Sequence, residues 1–98
     1  MNLVLNHEGF EDKLVDRSDL YDGVHYVFRF PNGYGASVVK HSGSYGHRED
    51  LWELAVVKFY DEGDDDWNLN YDTDITDDVI GHLADEEVRD LLKQIMEL

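Results

Sequence analysis

The chain has no cysteine, a single proline, and only eight lysines and arginines in 98 residues. Without cysteine there is no disulfide framework and no thiol chemistry, which suits a reducing cytosol. The shortage of basic residues has the larger consequence. Against 23 aspartates and glutamates it leaves a formal charge of −15 at neutral pH. Such a surface repels nucleic acid and anionic membranes and attracts basic protein grooves, so direct nucleic-acid or membrane binding is disfavoured. No apolar run approaches the length of a membrane-spanning helix. Residues 1–20 carry five acids instead of a signal-peptide pattern. The expectation is a soluble, cytoplasmic protein forming one domain over residues 1–98.

What is present is 42% hydrophobic residues with twelve aromatics, enough for one modest core despite the charge. Much of this lies between Val24 and Tyr60. Tyr26, Phe28 and Phe30 alternate with His25, Val27 and Arg29, the period of two of a strand. Pro31-Asn32-Gly33 then reads as a type I turn with Gly33 left-handed in a bulge. This register sets Phe30 facing Tyr34, Phe28 facing Ala36 and Tyr26 facing Val38, large residues against small or branched ones. On the other side His25, Val27 and Arg29 meet Val39, Ser37 and Gly35.

Residues 51–60 form a third strand with apolar residues on both sides, which is normal for a central or doubly covered strand. A face holding Val27, Val39, Trp52, Leu54 and Val56 therefore needs a cover. Either the N-terminal segment packs there or a second copy does, making Trp52, Leu54 and Val56 candidates for self-association. Trp67, Leu69 and Tyr71 alternate with Asn68 and Asn70 and predict a fourth strand over 67–71. Thr76 can cap a short helix over 77–83, with Ile75 and Val79 or Ile80 as a staple. Val88, Leu91, Leu92 and Ile95 have helical spacing and predict a helix over 85–97 lying across Tyr26, Phe28 and Phe30. Near the N-terminus, Met1 to Leu5 suits a short edge strand, and Phe10, Leu14 and Val15 suit a one-sided helix to about Arg17. The fold class is thus α+β: an antiparallel sheet of about four strands (24–30, 34–40, 51–60, 67–71) packed by C-terminal helices (77–83, 85–97).

The loop HSGSYGHRED, residues 41–50, invites a catalytic or metal reading through His41, His47, Ser42 and Ser44. No spacing there matches a metal motif, and zinc needs three or four converging ligands. The loop reads instead as an exposed, mobile connector that touches a partner. The run DEGDDD, residues 61–66, does not fit a calcium loop, because the sixth and twelfth positions lack the required Gly and Glu. No cofactor, metal or catalytic set is expected, and the protein does not read as an enzyme.

The acids are unevenly placed: six in residues 1–23, three in 24–60 and fourteen in 61–98. Asp61, Glu62, Asp64, Asp65, Asp66, Asp72, Asp74, Asp77 and Asp78 form the densest group and are the candidate partner-binding residues. The expected partner is a basic protein, of the kind that binds nucleic acid.

The string FRFPNGYGASVVKHSGSYGHREDLWELAVV, followed by NYDTDITDDVIGHLADEEVRDLL, resembles small proteins encoded by bacteriophages and prophages. The resemblance runs from Tyr26 to Leu98; its more specific parts are Asn32 to Ser37, Trp52 to Ala55, and Tyr71-Asp72-Thr73 with Ile75 to Val79. It implies a phage setting in a host cytoplasm and brings no catalytic residues. Inhibition of a host defence or nucleic-acid-handling protein, as in anti-CRISPR or anti-restriction action, is the first expectation. The second is a structural or assembly module that self-associates as a homodimer through the second sheet face.

Overall fold

The computed structural model describes residues 1–60, 63, 66–70, 73–75 and 79–98. The hairpin at its centre pairs β2 (Gly23–Arg29) with β3 (Tyr34–Lys40) in the expected register, Tyr26 opposite Val38 and Phe28 opposite Ala36. Gly33 closes the turn at φ +86°, its N–H donating to the Phe30 carbonyl at 3.1 Å, the geometry of a type I turn with a bulge. The Asn32 side chain is the join between turn and helix. Its Nδ2 donates to the Ile95 and Met96 carbonyls at 2.9 and 3.2 Å, satisfying acceptors that a helix C-terminus leaves open.

Four further strands complete an antiparallel sheet among the described residues: β1 (Leu14–Leu20), β4 (Trp52–Phe59), β5 (Trp67–Leu69) and β6 (Ile80–Leu83). The order is β1-β2-β3-β4-β5, and β6 shares the outer edge of β4 with β5. Phe59 pairs with Trp67, while Trp52 pairs with Leu83 and Leu54 with Ile80. The outer strand β1 carries Asp16, Arg17, Ser18 and Asp19, all exposed, which blunts that edge against pairing with another chain.

Three expectations change. The helix expected from Phe10 to Arg17 is a short 3₁₀ turn, Glu11–Lys13, followed by β1. The tight turn at Tyr21-Asp22 zips β1 onto β2, and that pairing outweighs a helical spacing of only two apolar steps. Within the expected helix over 77–83, Ile80–Leu83 is β6; Gly81 is a poor helix residue, and the open edge of β4 supplies a ladder. Asp77 and Asp78 lie outside the described residues, as do the proposed cap Thr76 and Tyr71 of the fourth strand. Met1 to Leu5 is an extended strap that belongs to no ladder.

The helix α1 (Asp85–Met96) packs as expected. Val88, Leu92 and Ile95 are buried with Tyr26, Phe28, Phe30, Ala36, Val38, Trp52, Leu54 and Val56 in one cluster. Trp52, Leu54 and Val56 are 1%, 0% and 0% exposed. They belong to the helix-covered face, because Leu54 pairs with Val38 and Val56 with Ala36. The expected self-association surface is therefore filled from within the chain. The opposite face is built from Val27, Val57 and Phe59, with Val15 and Trp67 packed against them.

The strap is held by side chains instead of by a neighbouring strand. Asn2 donates its N–H to Asp50 Oδ1 at 2.6 Å and accepts from Lys40 Nζ at 2.8 Å. The Tyr26 hydroxyl donates to the Leu3 carbonyl and accepts from the Leu5 N–H, each at 3.2 Å. Asn6 donates to Asp85 and accepts from Arg89. These main-chain groups thus find partners while the Leu5 side chain enters the core.

Candidate functional site

Of the nine carboxylates expected to meet a partner, Asp66 and Asp74 are exposed. Asp61, Glu62, Asp64, Asp65, Asp72, Asp77 and Asp78 lie outside the described residues. Acidic side chains elsewhere extend the charged surface: Asp16 and Asp19 on β1, and Glu86, Glu87, Asp90 and Glu97 on or beside α1, are all exposed.

The arrangement of the basic residues decides what that surface can do. Four of them lie over aromatic rings: Arg17 over Tyr26 at 5.3 Å, Arg29 over Phe59 at 4.8 Å, Lys40 over Trp52 at 4.2 Å and Lys58 over Tyr34 at 4.1 Å. Several also donate to main-chain carbonyls: Lys40 to Asn2, Arg89 to Asn6 at 2.8 Å, and Arg29 to Gly63 at 3.1 Å. The sheet register explains two of these placements. Lys58 sits directly opposite Tyr34, and Arg29 and Phe59 project from the same face two strands apart. A cation on a ring face or a carbonyl gains attraction there, and Lys40 pairs with the Asp50 carboxylate as well.

Ion pairs do form at two places among the described residues, Lys13 with Asp12 at 2.9 Å and Lys40 with Asp50 at 3.1 Å. The Asn2 N–H and the Lys40 ammonium hold the Asp50 carboxyl below the usual carboxylate range. The Ser42 hydroxyl and N–H do the same for Asp22, and Lys13 does so for Asp12. These acids stay ionised into mildly acidic solution.

The loop over 41–50 is laced together instead of standing free. Ser42 donates its hydroxyl and N–H to Asp22 on the β1–β2 turn. Ser44 is buried, its hydroxyl donating to the His41 carbonyl and accepting from the His41 N–H. The Tyr45 N–H reaches Glu53 at 3.0 Å. The rings of His41 and His47 turn Nδ1 to the carbonyls of Ser42 and Ser44 at 2.9 and 2.6 Å, so neither imidazole meets a loop hydroxyl.

A histidine–serine contact occurs outside the loop, on the second sheet face. His25 Nε2 lies 2.7 Å from Ser37 Oγ on the second sheet face, diagonal across β2 and β3. The ring of Trp67 meets His25 edge-on at 6.0 Å. Burial pushes the His25 imidazole below its ordinary value, opposed by the Asp16 carboxylate and reinforced by His41. Ser37 is 9% exposed in mid-strand, and the pair acts as a satisfied polar link within an apolar face. The sequence signal for it was the alternation that puts residues 25 and 37 on one side of the hairpin.

Among the described residues no group of three histidines or carboxylates converges to hold a metal ion, and no helix is long and apolar enough to cross a membrane. Comparison of this chain with family models, with curated proteins and with solved structures returned no match.

Proposed function

We propose that this chain is a small protein-binding domain that presents ionised carboxylates, held on a packed scaffold, to a basic surface of a nucleic-acid-handling protein. One observation carries the reading: the fold turns Arg17, Lys58 and Arg89 onto rings and carbonyls of its own chain. The net charge of −15 sets up a field that steers association with a polycation. The narrower form of the reading, drawn from the resemblance of residues 26–98 to phage-encoded proteins, is inhibition of a host defence protein, with anti-CRISPR and anti-restriction action as examples. Binding, not catalysis, is the proposed activity. Self-association through Trp52, Leu54 and Val56 is not carried forward, since those side chains are in the core.

The test is capture of host proteins on the immobilised domain at low and high salt, followed by competition with duplex DNA. The expected result is retention of basic, nucleic-acid-binding proteins that leave as salt rises through the range where the Debye length falls from ~30 to ~8 Å, and that DNA displaces. Retained proteins indifferent to both salt and DNA would remove the reading.

A further inference from the structure

Where the 41–50 loop meets β6 there is an open, shallow cavity of about 260 Å³, lined by Tyr45, His47, Arg48, Glu49 and His82 with neighbouring loop backbone. It gathers two of the chain's five histidines and one of its eight basic residues. Unlike the cations turned onto rings and carbonyls, Arg48 has no hydrogen-bond or ion-pair partner among the described residues. The His47 ring is already oriented: Nδ1–H donates to the Ser44 carbonyl at 2.6 Å, leaving Nε2 for another group.

The backbone around this cavity is held under strain. Among the described residues the non-glycine positions with left-handed backbone are Tyr21 at φ +55°, Asp50 at +61° and His82 at +59°, and all lie at this end of the sheet. Each costs on the order of 1 kcal/mol or more and persists only where the surroundings over-determine it. They do so here: a Cβ on Gly81 would collide with Tyr45, and one on Gly46 would lie 2.8 Å from His82 Cα. The His82 N–H meanwhile donates to the Tyr45 carbonyl at 3.3 Å. Loop and strand are locked face to face, and His82 is positioned by that lock.

We infer that this cavity binds the oxyanion of a small molecule, a phosphate monoester or a carboxylate, with Arg48 as the planar two-pronged donor and His47 and His82 as flanking donors. Guanidinium geometry matches both anions. Glu49 on the wall opposes this, as does Glu53, which accepts from the Tyr45 N–H at 3.0 Å; exposed acids beyond a Debye length of about 8–10 Å are screened. The volume is below that of a drug-sized pocket and suits an anion bearing one small organic group, which Tyr45, 62% exposed at the rim, can cover. The inference does not rest on the proposed carboxylate surface, and its test is independent of that reading.

The test is a titration of the full-length, isotopically labelled protein at fixed pH, following the five histidine ring signals. Sodium phosphate, phenyl phosphate and sodium benzoate are the probes, and sodium chloride at equal ionic strength is the control. The expected result is a saturable shift of His47 and His82 with phosphates, benzoate or both, while His7 and His25 stay in place; which probe acts decides between the two anions. Arg48→Gln should weaken binding by about tenfold or more, and His82→Gln by less. Both side chains are exposed, so the backbone spectra should show the fold retained. Shifts no larger than those with chloride, equal movement of all five rings, or an Arg48→Gln protein that titrates like the parent would each overturn the assignment.

Discussion

On one side of the sheet fifteen buried residues, those of α1 and the N-terminal strap among them, form a continuous cluster; on the other, Val27, Val57 and Phe59 form a small cluster under Trp67 and Val15, with Val39 and Ala55 buried beside it. Both sides arise from the same strands, and β4 places Leu54 and Val56 on the first while Ala55, Val57 and Phe59 lie on the second. The first side is closed by whole elements, so apolar area pays for the fold there. The second is closed by single side chains: the Trp67 ring, the Arg29 guanidinium over Phe59, and the His25–Ser37 link. A sheet covered in this second manner depends more on polar placement, and therefore on pH, than one covered by a helix.

Three measurements sharpen or break that contrast. Leu92→Ala, which opens a cavity at a fully buried position under α1, should lower unfolding free energy by about 2–5 kcal/mol in urea titration. Trp67→Ala removes a partly buried lid from the second side and should cost less, about 1–2 kcal/mol, because only part of the ring leaves water on folding. Equal losses would show that the two sides share the load.

The smallest effect is the pH dependence carried by His25. Its folded imidazole lies below its ordinary value of 6.5, so the unfolded chain takes up the proton first as pH falls. The stability associated with neutral His25 is complete above the unfolded value and is lost as pH falls through the lowered folded one. The parent should therefore lose more stability than His25→Gln between about pH 7.5 and 5, when both are followed by urea unfolding. Parallel pH profiles would show that His25 is not held neutral by the second side.

The hairpin was legible because its signals are local: alternation over seven residues and the turn chemistry of Pro31-Asn32-Gly33. The helix over 85–96 was equally plain, since Val88, Leu92 and Ile95 all fall on one stripe. The strands at 14–20 and 80–83 were not, because neither has a pattern strong enough to declare itself. Each becomes a strand only when a neighbour offers an edge, β2 to the first and β4 to the second. Of the acid-rich group counted from the sequence, Asp66 and Asp74 are exposed, and the other seven lie outside the described residues. The cavity could not be located from the sequence, because His47, Arg48 and His82 are brought together by a close approach of loop and β6 that no spacing encodes.

By itself the amino-acid sequence determined the charge, the α+β class, the central hairpin with its register, and the helix that covers it, all consequences of composition and short-range periodicity. Only the tertiary structure decided which side of β4 faces the helix and where the basic side chains end up. Those outcomes depend on strand neighbours distant in the chain. The choice of face follows from the pairing of Leu54 with Val38, and the burial of Lys40 against Trp52 from a strap that arrives from the other end of the sequence.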